Sequence, residues 1–344
     1  MAQTIMRIGT RESQLAVWQA TQVQSLLKAA GVISELVYIK SEGDVDTVTP
    51  LYALGVQGVF TKALDAALLN NRIDIAVHSM KDVPTQLAQG IKQAAVLKRA
   101  SHKDIFVAHP DLPEGKAIFA QTTLKQVGSN TDTNLSRALQ CDEAPPSERF
   151  GEAVIATSSI RRIAQWLHRY PNHQMVNLRG NVNTRLRKLK ESNWNGAIFA
   201  AAGLERIDLR PQNSIDLDWM LPAPAQGAIM VVCREEDDFV FEACQSFNDA
   251  ETALCTKIER EFLRTLLGGC STPISALAEV KDGTVYLKGN IVSPDGKHKI
   301  EVTQQSPIST AAGLGVQAAN ELLAKGGDEI VGRVRKMKTP DGKV

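Results

Sequence analysis

Ile73-Asp74-Ile75-Ala76-Val77-His78-Ser79-Met80-Lys81-Asp82 is a short apolar run that gives way to a polar, charged cluster. Ile73 to Val77 has the length and branched side chains of a buried strand. Just upstream, Phe60, Leu64, Leu68 and Leu69 recur at helical spacing, and Leu36 to Ile39 reads as another strand. Before that, Ser13 is placed to cap a helix carrying Leu15, Trp18, Val23, Leu26 and Leu27, and Gly31 ends it. Met6 to Gly9 is the first apolar run. Such alternation predicts a largely parallel sheet with helices on its faces.

The same order returns after residue 152. Ala153 to Thr157 reads as a strand, Ser158 onward as a helix and Met175 to Leu178 as a strand. A helix over Asn181 to Lys190 and a strand over Ala197 to Ala200 follow. The last ninety residues differ: a helical pattern over Ala250 to Leu267 stops at Gly268-Gly269. Three strand-like stretches then alternate with the turn signals Asp282-Gly283 and Ser293-Pro294-Asp295-Gly296, and a helix around Thr310 to Ala324 closes the chain. The expected fold is α/β: two α/β units and a small C-terminal α+β domain. Residues 116–150, polar and containing Pro145-Pro146, read as a surface insertion.

The 344 residues hold 43% hydrophobic side chains, enough for packed cores in two or three domains. Lys plus Arg (39) and Asp plus Glu (38) nearly cancel, which argues against a nucleic-acid or membrane-surface partner. The apolar runs Ala197–Ala202 and Ala228–Cys233 are too short to span a bilayer, and Met1 to Arg11 shows no signal-peptide stretch. Five dispersed cysteines without a C-x-x-C pair suit a reducing compartment and no cysteine zinc site, and the six histidines show no ligand spacing. Locally the charge is uneven. Arg149 to Arg210 holds 11 Lys/Arg against 4 Asp/Glu, so the second α/β unit presents a basic surface.

Ligands of open α/β sheets bind beyond the carboxyl ends of the strands. Three clusters fall there: His78 to Asp82, Thr157-Ser158-Ser159-Ile160-Arg161-Arg162, and Leu178-Arg179-Gly180-Asn181 with Arg185. Two arginines in a helix's first turn oppose its dipole and are costly unless an anion is bound. Arg11, Arg161, Arg162, Arg179, Arg185 and Arg206 would converge on a cleft suited to several carboxylates or phosphates. Asp82 is the lone acid of these clusters, either a cap or ion-pair partner or a functional carboxylate. Cys270, in Gly268-Gly269-Cys270-Ser271-Thr272-Pro273, sits on an accessible loop with no histidine near it in sequence. Spacing alone leaves open whether it is a covalent attachment point or an ordinary loop cysteine.

Arg7-Ile8-Gly9-Thr10-Arg11-Glu12-Ser13 with Trp18-Gln19, Asp74 to Pro84, Thr157 to Arg162, Leu178-Arg179-Gly180-Asn181-Val182 with Thr184-Arg185-Leu186, Ala202 to Arg206, Gln226-Gly227-Ala228 and Gly268-Gly269-Cys270 form an ordered set. This set resembles the hydroxymethylbilane synthase, or porphobilinogen deaminase, family. The resemblance implies two domains like periplasmic binding proteins, over 1–105 with 228–246 and over 106–227, and a third over 247–344. It implies a dipyrromethane cofactor joined by a thioether to Cys270, acting as primer for four porphobilinogen units, each added with loss of ammonia. The linear tetrapyrrole is then released by hydrolysis. Asp82 matches the catalytic aspartate. Ser13, Lys81, Thr157, Ser158, Ser159, Arg161, Arg162, Arg179 and Arg185 match cofactor-binding positions; Arg11, Gln19, Phe60, Arg179, Arg185 and Arg206 match substrate-binding ones. A cytoplasmic monomer acting on porphobilinogen, without metal, nucleic acid or membrane, is implied. The rival reading is a non-catalytic α/β binding protein for a small polyanionic ligand, which needs neither Asp82 nor Cys270.

Several positions depart from the family pattern: Ala53 and Gln57 in the lid-like stretch Leu51 to Lys62, Ala156 and Ala225 in place of glycines, and the long insertion.

Overall fold

The structure, a computed structural model, describes residues 5–40, 60–111, 153–266 and 272–338. Cys270, Ala53, Gln57, most of the lid-like stretch and the 116–150 insertion lie outside them. The first sheet has the order β2-β1-β3-β10-β4. It is built from β1 (Met6–Thr10), β2 (Ser34–Tyr38), β3 (Ile75–Ser79), β4 (Ile91–Val96) and β10 (Ile229–Arg234). Helix α1 (Gln14–Ala29) starts where the Ser13 hydroxyl accepts from Ala16 N–H, and Gly31 (φ 79°) follows its end. Ala16, Ala20, Val23 and Leu27 face the sheet. Helix α2 (Lys62–Leu69) buries Leu64, Ala67 and Leu68 on the opposite face of the sheet.

The second sheet repeats the plan in the order β7-β6-β8-β5-β9. Its strands are β5 (Asp104–Ala108), β6 (Val154–Ala156), β7 (Gln174–Val176), β8 (Gly196–Ala200) and β9 (Ser214–Asp216). Helices α3 (Ile160–Arg169), α4 (Val182–Lys190) and α5 (Ala201–Glu205) connect them. The two-residue period of the strands sorts the cores: Phe106, Ile155 and Ile198 pack with Trp166 on one face, Ile105, Val107, Ala197 and Phe199 with Leu189 on the other.

Both sheets are mixed, which corrects the largely parallel expectation. β10 runs antiparallel to β3 and β4, and β5 antiparallel to β8 and β9. Parallel neighbours need a crossover helix returning over the same sheet. β5 and β10 instead arrive from the other unit and are free to enter reversed.

The chain therefore passes between the sheets twice, through 97–103 and 217–228, and the two passages bond to each other. Leu97 N–H donates to Ile229 O and Ala100 N–H to Gly227 O, at 3.0 and 3.1 Å. Gly227 has φ 88°, and a Cβ there would meet Ala100 O and Ser101 O at 2.7 and 2.6 Å.

After α6 (Asp238–Gln245) and α7 (Ala250–Thr265), an antiparallel sheet of β11 (Ile274–Lys281), β12 (Thr284–Val292) and β13 (Lys299–Pro307) follows. The Asp282-Gly283 turn has φ of 50° and 73°, as a tight hairpin requires. The closing helix is α8 (Leu314–Leu322), shorter than expected, and α9 (Asp328–Lys338) lies beyond it unforeseen. This third unit is moored by Glu259. Its buried carboxylate takes both Nη atoms of Arg99 at 2.6 and 3.1 Å and the amides of Ala225 and Ala278 at 2.6 and 2.8 Å.

Candidate active site

β3 ends inside the molecule, and the chain turns at once into a 3-10 turn over Met80–Asp82. Three features pin this turn. Met80 is buried, its N–H donates to Ala228 O at 3.0 Å, and Arg260 of α7 donates to Val83 O and Pro84 O at 2.9 and 2.6 Å. Lys81 and Asp82 are half-buried on this rigid turn. Burial, helped by the Arg11 charge, pushes the His78 imidazole down to about 4, so it is neutral near pH 7. Gln19 is buried and its Nε2 donates to Ser79 Oγ at 2.9 Å, so it ties α1 to the end of β3.

At the start of α3 the structure changes the sequence reading. Asp104, the first residue of β5, is fully buried and accepts from Arg161 Nη1 at 2.7 Å and from Arg162 Nε and Nη2 at 3.0 and 2.8 Å. Burial opposes its ionisation, yet the two arginines hold the carboxyl well below the usual range. The anion that the two arginines need is thus a protein carboxylate, and Asp82 is not the lone acid. Arg161 also bonds Leu221 O at 2.9 Å, and Arg162 bonds Ile198 O at 3.0 Å. Sequence reasoning missed Asp104 because a strand-leading aspartate with no motif around it carries no local signal.

The hydroxyl residues divide. Ser158 Oγ is spent locally, bonded to the Leu178 carbonyl and accepting from Leu178 N–H at 3.1 Å. Thr157 is buried and its Oγ1 accepts from Ser159 N–H at 3.3 Å. Ser13 serves as the α1 cap. Ser159 occupies the N-cap of α3 without a side-chain capping bond. Ser158 and Ser13 thus each have a structural bond that orders the loop or helix start, and the Ser13 hydroxyl keeps its donor proton.

Arg179 is buried, and Arg185 donates from Nε to Gly180 O at 2.7 Å. Burial, with the charges of Arg162 and Arg179 acting the same way and Asp82 opposing them, lowers the Arg185 pKa to about 10. Burial likewise lowers Lys81 to about 8, with Asp82 and Asp104 opposing Arg162 and Arg161. These mutual effects place Lys81, Asp82, Arg162 and Arg185 in one electrostatic neighbourhood. Arg11 lies over the Phe60 ring at 4.4 Å, bringing two of the expected substrate residues together. Arg206 stands on the seam between the units, donating to Gly227 O at 2.7 Å with its guanidinium 5.8 Å from the Trp18 ring centre. A second bond between the units runs from Asn183 Nδ2 to Gln14 Oε1 at 2.8 Å. Trp18 and Leu15 were expected on the core face of α1; Trp18 packs against that core, whereas the Leu15 Cδ2 atom lies by Gly203 of α5.

Among the described residues, no group of three His, Cys, Asp or Glu side chains is placed to hold a metal ion, and no helix is long and apolar enough to cross a membrane.

Residues 6–242 match the model of the porphobilinogen deaminase dipyrromethane cofactor binding domain, and residues 253–324 that of the porphobilinogen deaminase C-terminal domain. The porphobilinogen deaminase of Syntrophotalea carbinolica is 39% identical over 99% of this chain and 99% of its own length. The chloroplastic porphobilinogen deaminase of Oryza sativa subsp. japonica is 38% identical over 94% of this chain and 85% of its own. Among solved structures, the methionine binding protein MetQ aligns with 72% of this chain and 91% of its own at 12% identity and a TM-score of 0.39. With matching domain models along most of its length and full-length relatives well above chance identity, this chain belongs to the porphobilinogen deaminase family.

Proposed function

We propose that Asp82 is the catalytic carboxylate of this chain, acting on porphobilinogen as a transferase that elongates a dipyrromethane primer carried by Cys270. One observation carries the assignment. Asp82 sits on a turn pinned from three sides and shares its electrostatic neighbourhood with Lys81, Arg162 and Arg185. A carboxyl group held among cations on so fixed a turn cannot drift, which suits it to a positive charge developing on a pyrrole nitrogen as ammonia leaves. In its protonated form the same group can pass a proton to the departing amine and is left as the carboxylate that faces the new charge.

The donor set fits the primer. Its acetate and propionate groups need fixed cations, and Lys81, Arg179 and Arg185 supply them at the sheet ends. The primer, when bound, supplies the nucleophilic carbon to which the next ring is joined. Arg161 and Arg162 act with Asp104 as one unit that presents a net positive edge. Arg11 and Phe60 receive the incoming substrate, Arg11 by its charge and Phe60 by its ring. Gln19 and Arg206 shape the wall of the cleft and its seam. Thr157 and Ser159 offer the α3 start to ligand carboxylates.

We further divide the chain into domains over 1–103 with 228–246, 104–227 and 247–344; the first boundary lies two residues before the one expected between 105 and 106, because β5 begins at Asp104. A cytoplasmic monomer without nucleic-acid or membrane partners is the form we propose, on the near-neutral charge of +1.

Intact mass of freshly purified protein tests the reading. The wild type should carry a covalent adduct of two linked pyrroles, and Cys270→Ser should lack both adduct and activity. An adduct persisting in Cys270→Ser removes that residue from the site.

A further inference from the structure

Gln226 is fully buried between two residues with left-handed backbone, Ala225 (φ 62°) and Gly227 (φ 88°). Its amide is saturated. Oε1 accepts from Lys81 Nζ at 3.3 Å and from Arg161 Nη2 at 3.5 Å, while Nε2 donates to His102 O at 2.8 Å and to Asp104 Oδ1 at 2.9 Å. A primary amide has two donor hydrogens and two acceptor positions, and all four are used. Its backbone carbonyl also takes Arg99 Nε at 2.8 Å, which anchors the residue from behind. The partners come from different parts of the fold: Lys81 from the first unit, Arg161 and Asp104 from the second, and His102 from the passage between them.

We propose that Gln226 is a positioning residue for Lys81: its amide ties the Lys81–Asp82 turn of the first unit to the Asp104-centred arginine pair of the second, and holds the Lys81 ammonium in place. The proposal rests on the reading that Lys81 binds ligand carboxylates. Lys81 faces Asp82 on its own turn, Arg161 and Arg162 on α3, and Asp104 on β5, while Arg260 of α7 grips the backbone of the same turn. Arg185 of α4 interacts with Asp82 and Arg162, and the neutral His78 precedes the turn. Two cations and burial disfavour the ammonium, two carboxylates favour it, and the Gln226 oxygen is the neutral acceptor shared between Lys81 and Arg161. With Lys81 already lowered to about 8, loss of that acceptor moves its midpoint into the working pH range.

The test uses holoenzyme carrying [ε-13C]lysine, with the Lys81 resonance assigned by its absence in Lys81→Arg. In Gln226→Met, which keeps the volume and loses the amide, the Lys81 titration midpoint should fall by about one pH unit, the scale of a hydrogen bond to a charged group. The alkaline limb of the turnover profile should shift the same way, while wild-type circular dichroism is retained. Gln226→Glu keeps an oxygen toward Lys81 and adds negative charge, so the midpoint should rise. An unchanged midpoint in whichever variant folds overturns the proposal. A moved midpoint with an unmoved turnover profile would support the positioning role and remove Lys81 from ligand binding.

Discussion

Asp82 is chemically simple but expensively placed. Its turn is fixed by the Met80–Ala228 bond and by Arg260, so a substitution that keeps its shape should change chemistry and little else. Asp82→Asn retains the volume and loses both the charge and the proton shuttle. Turnover should fall by about 10²–10⁴-fold with an unfolding midpoint close to wild type, measured by product formation and by thermal melting. Ala225 shows how opposing terms cancel at one position. Its φ of 62° costs a non-glycine residue roughly 1–2 kcal/mol. Its buried methyl returns about 0.8 kcal/mol, and the stiffer unfolded chain roughly another 0.4–1 kcal/mol. Ala225→Gly should therefore shift stability by less than about 1 kcal/mol in denaturant titration. The departure from the family's glycine is tolerated because the terms balance, and because the Ala225 amide is held by Glu259.

At the scale of elements, the two passages between the sheets behave as one paired ribbon. At Gly227 they approach closely: a methyl group there would meet two carbonyl oxygens of the other passage, and the backbone is left-handed as well. Gly227→Ala should cost more than about 2 kcal/mol, since both the close approach and the dihedral must yield. Because the ribbon also bears Gln226 and receives Arg206, the variant should lose turnover further than its folded fraction explains. Denaturant titration and activity per folded molecule measure the two effects separately. A loss of stability below about 0.5 kcal/mol would mean that the passages are not packed as described. Helix α1 has a comparable double duty. Its Ala16, Ala20, Val23 and Leu27 face serves the sheet, and Leu15, Trp18 and Gln14 meet the second unit.

At the scale of the whole molecule, one buried carboxylate touches every unit. Glu259 collects Arg99 from the passage, Ala225 from the returning passage and Ala278 from the third sheet, so all three units meet at one side chain. Removing one partner of a buried ion pair leaves the other charge unpaired, at about 3–5 kcal/mol. Glu259→Gln should destabilise by about that amount and separate unfolding of the third unit from the rest. Differential scanning calorimetry should then show two transitions where the wild type shows one. A single transition at the wild-type midpoint would place the mooring elsewhere.

Much of the architecture is legible in the chain because it is local. The β3 run from Ile75, the Ser13 cap and the hairpin glycine at 283 each announce their structure through period, cap chemistry or backbone freedom. The cationic clusters at strand ends are likewise visible, since strands in such sheets deliver their next residues to the ligand side. What pairs with those cations is not local. Asp104 lies more than fifty residues from Arg161 and its segment carries no motif, Glu259 looks like one of several acids in the acid-rich stretch from Glu235 to Glu261, and Gln226 is a neutral residue in a loop. Their roles arise only when two passages of chain, far apart in sequence, fold against one another and exclude water, so that each charge must find its partner inside. The sequence determined the units and their cations; the tertiary structure decided which cations are already neutralised and which remain for a ligand.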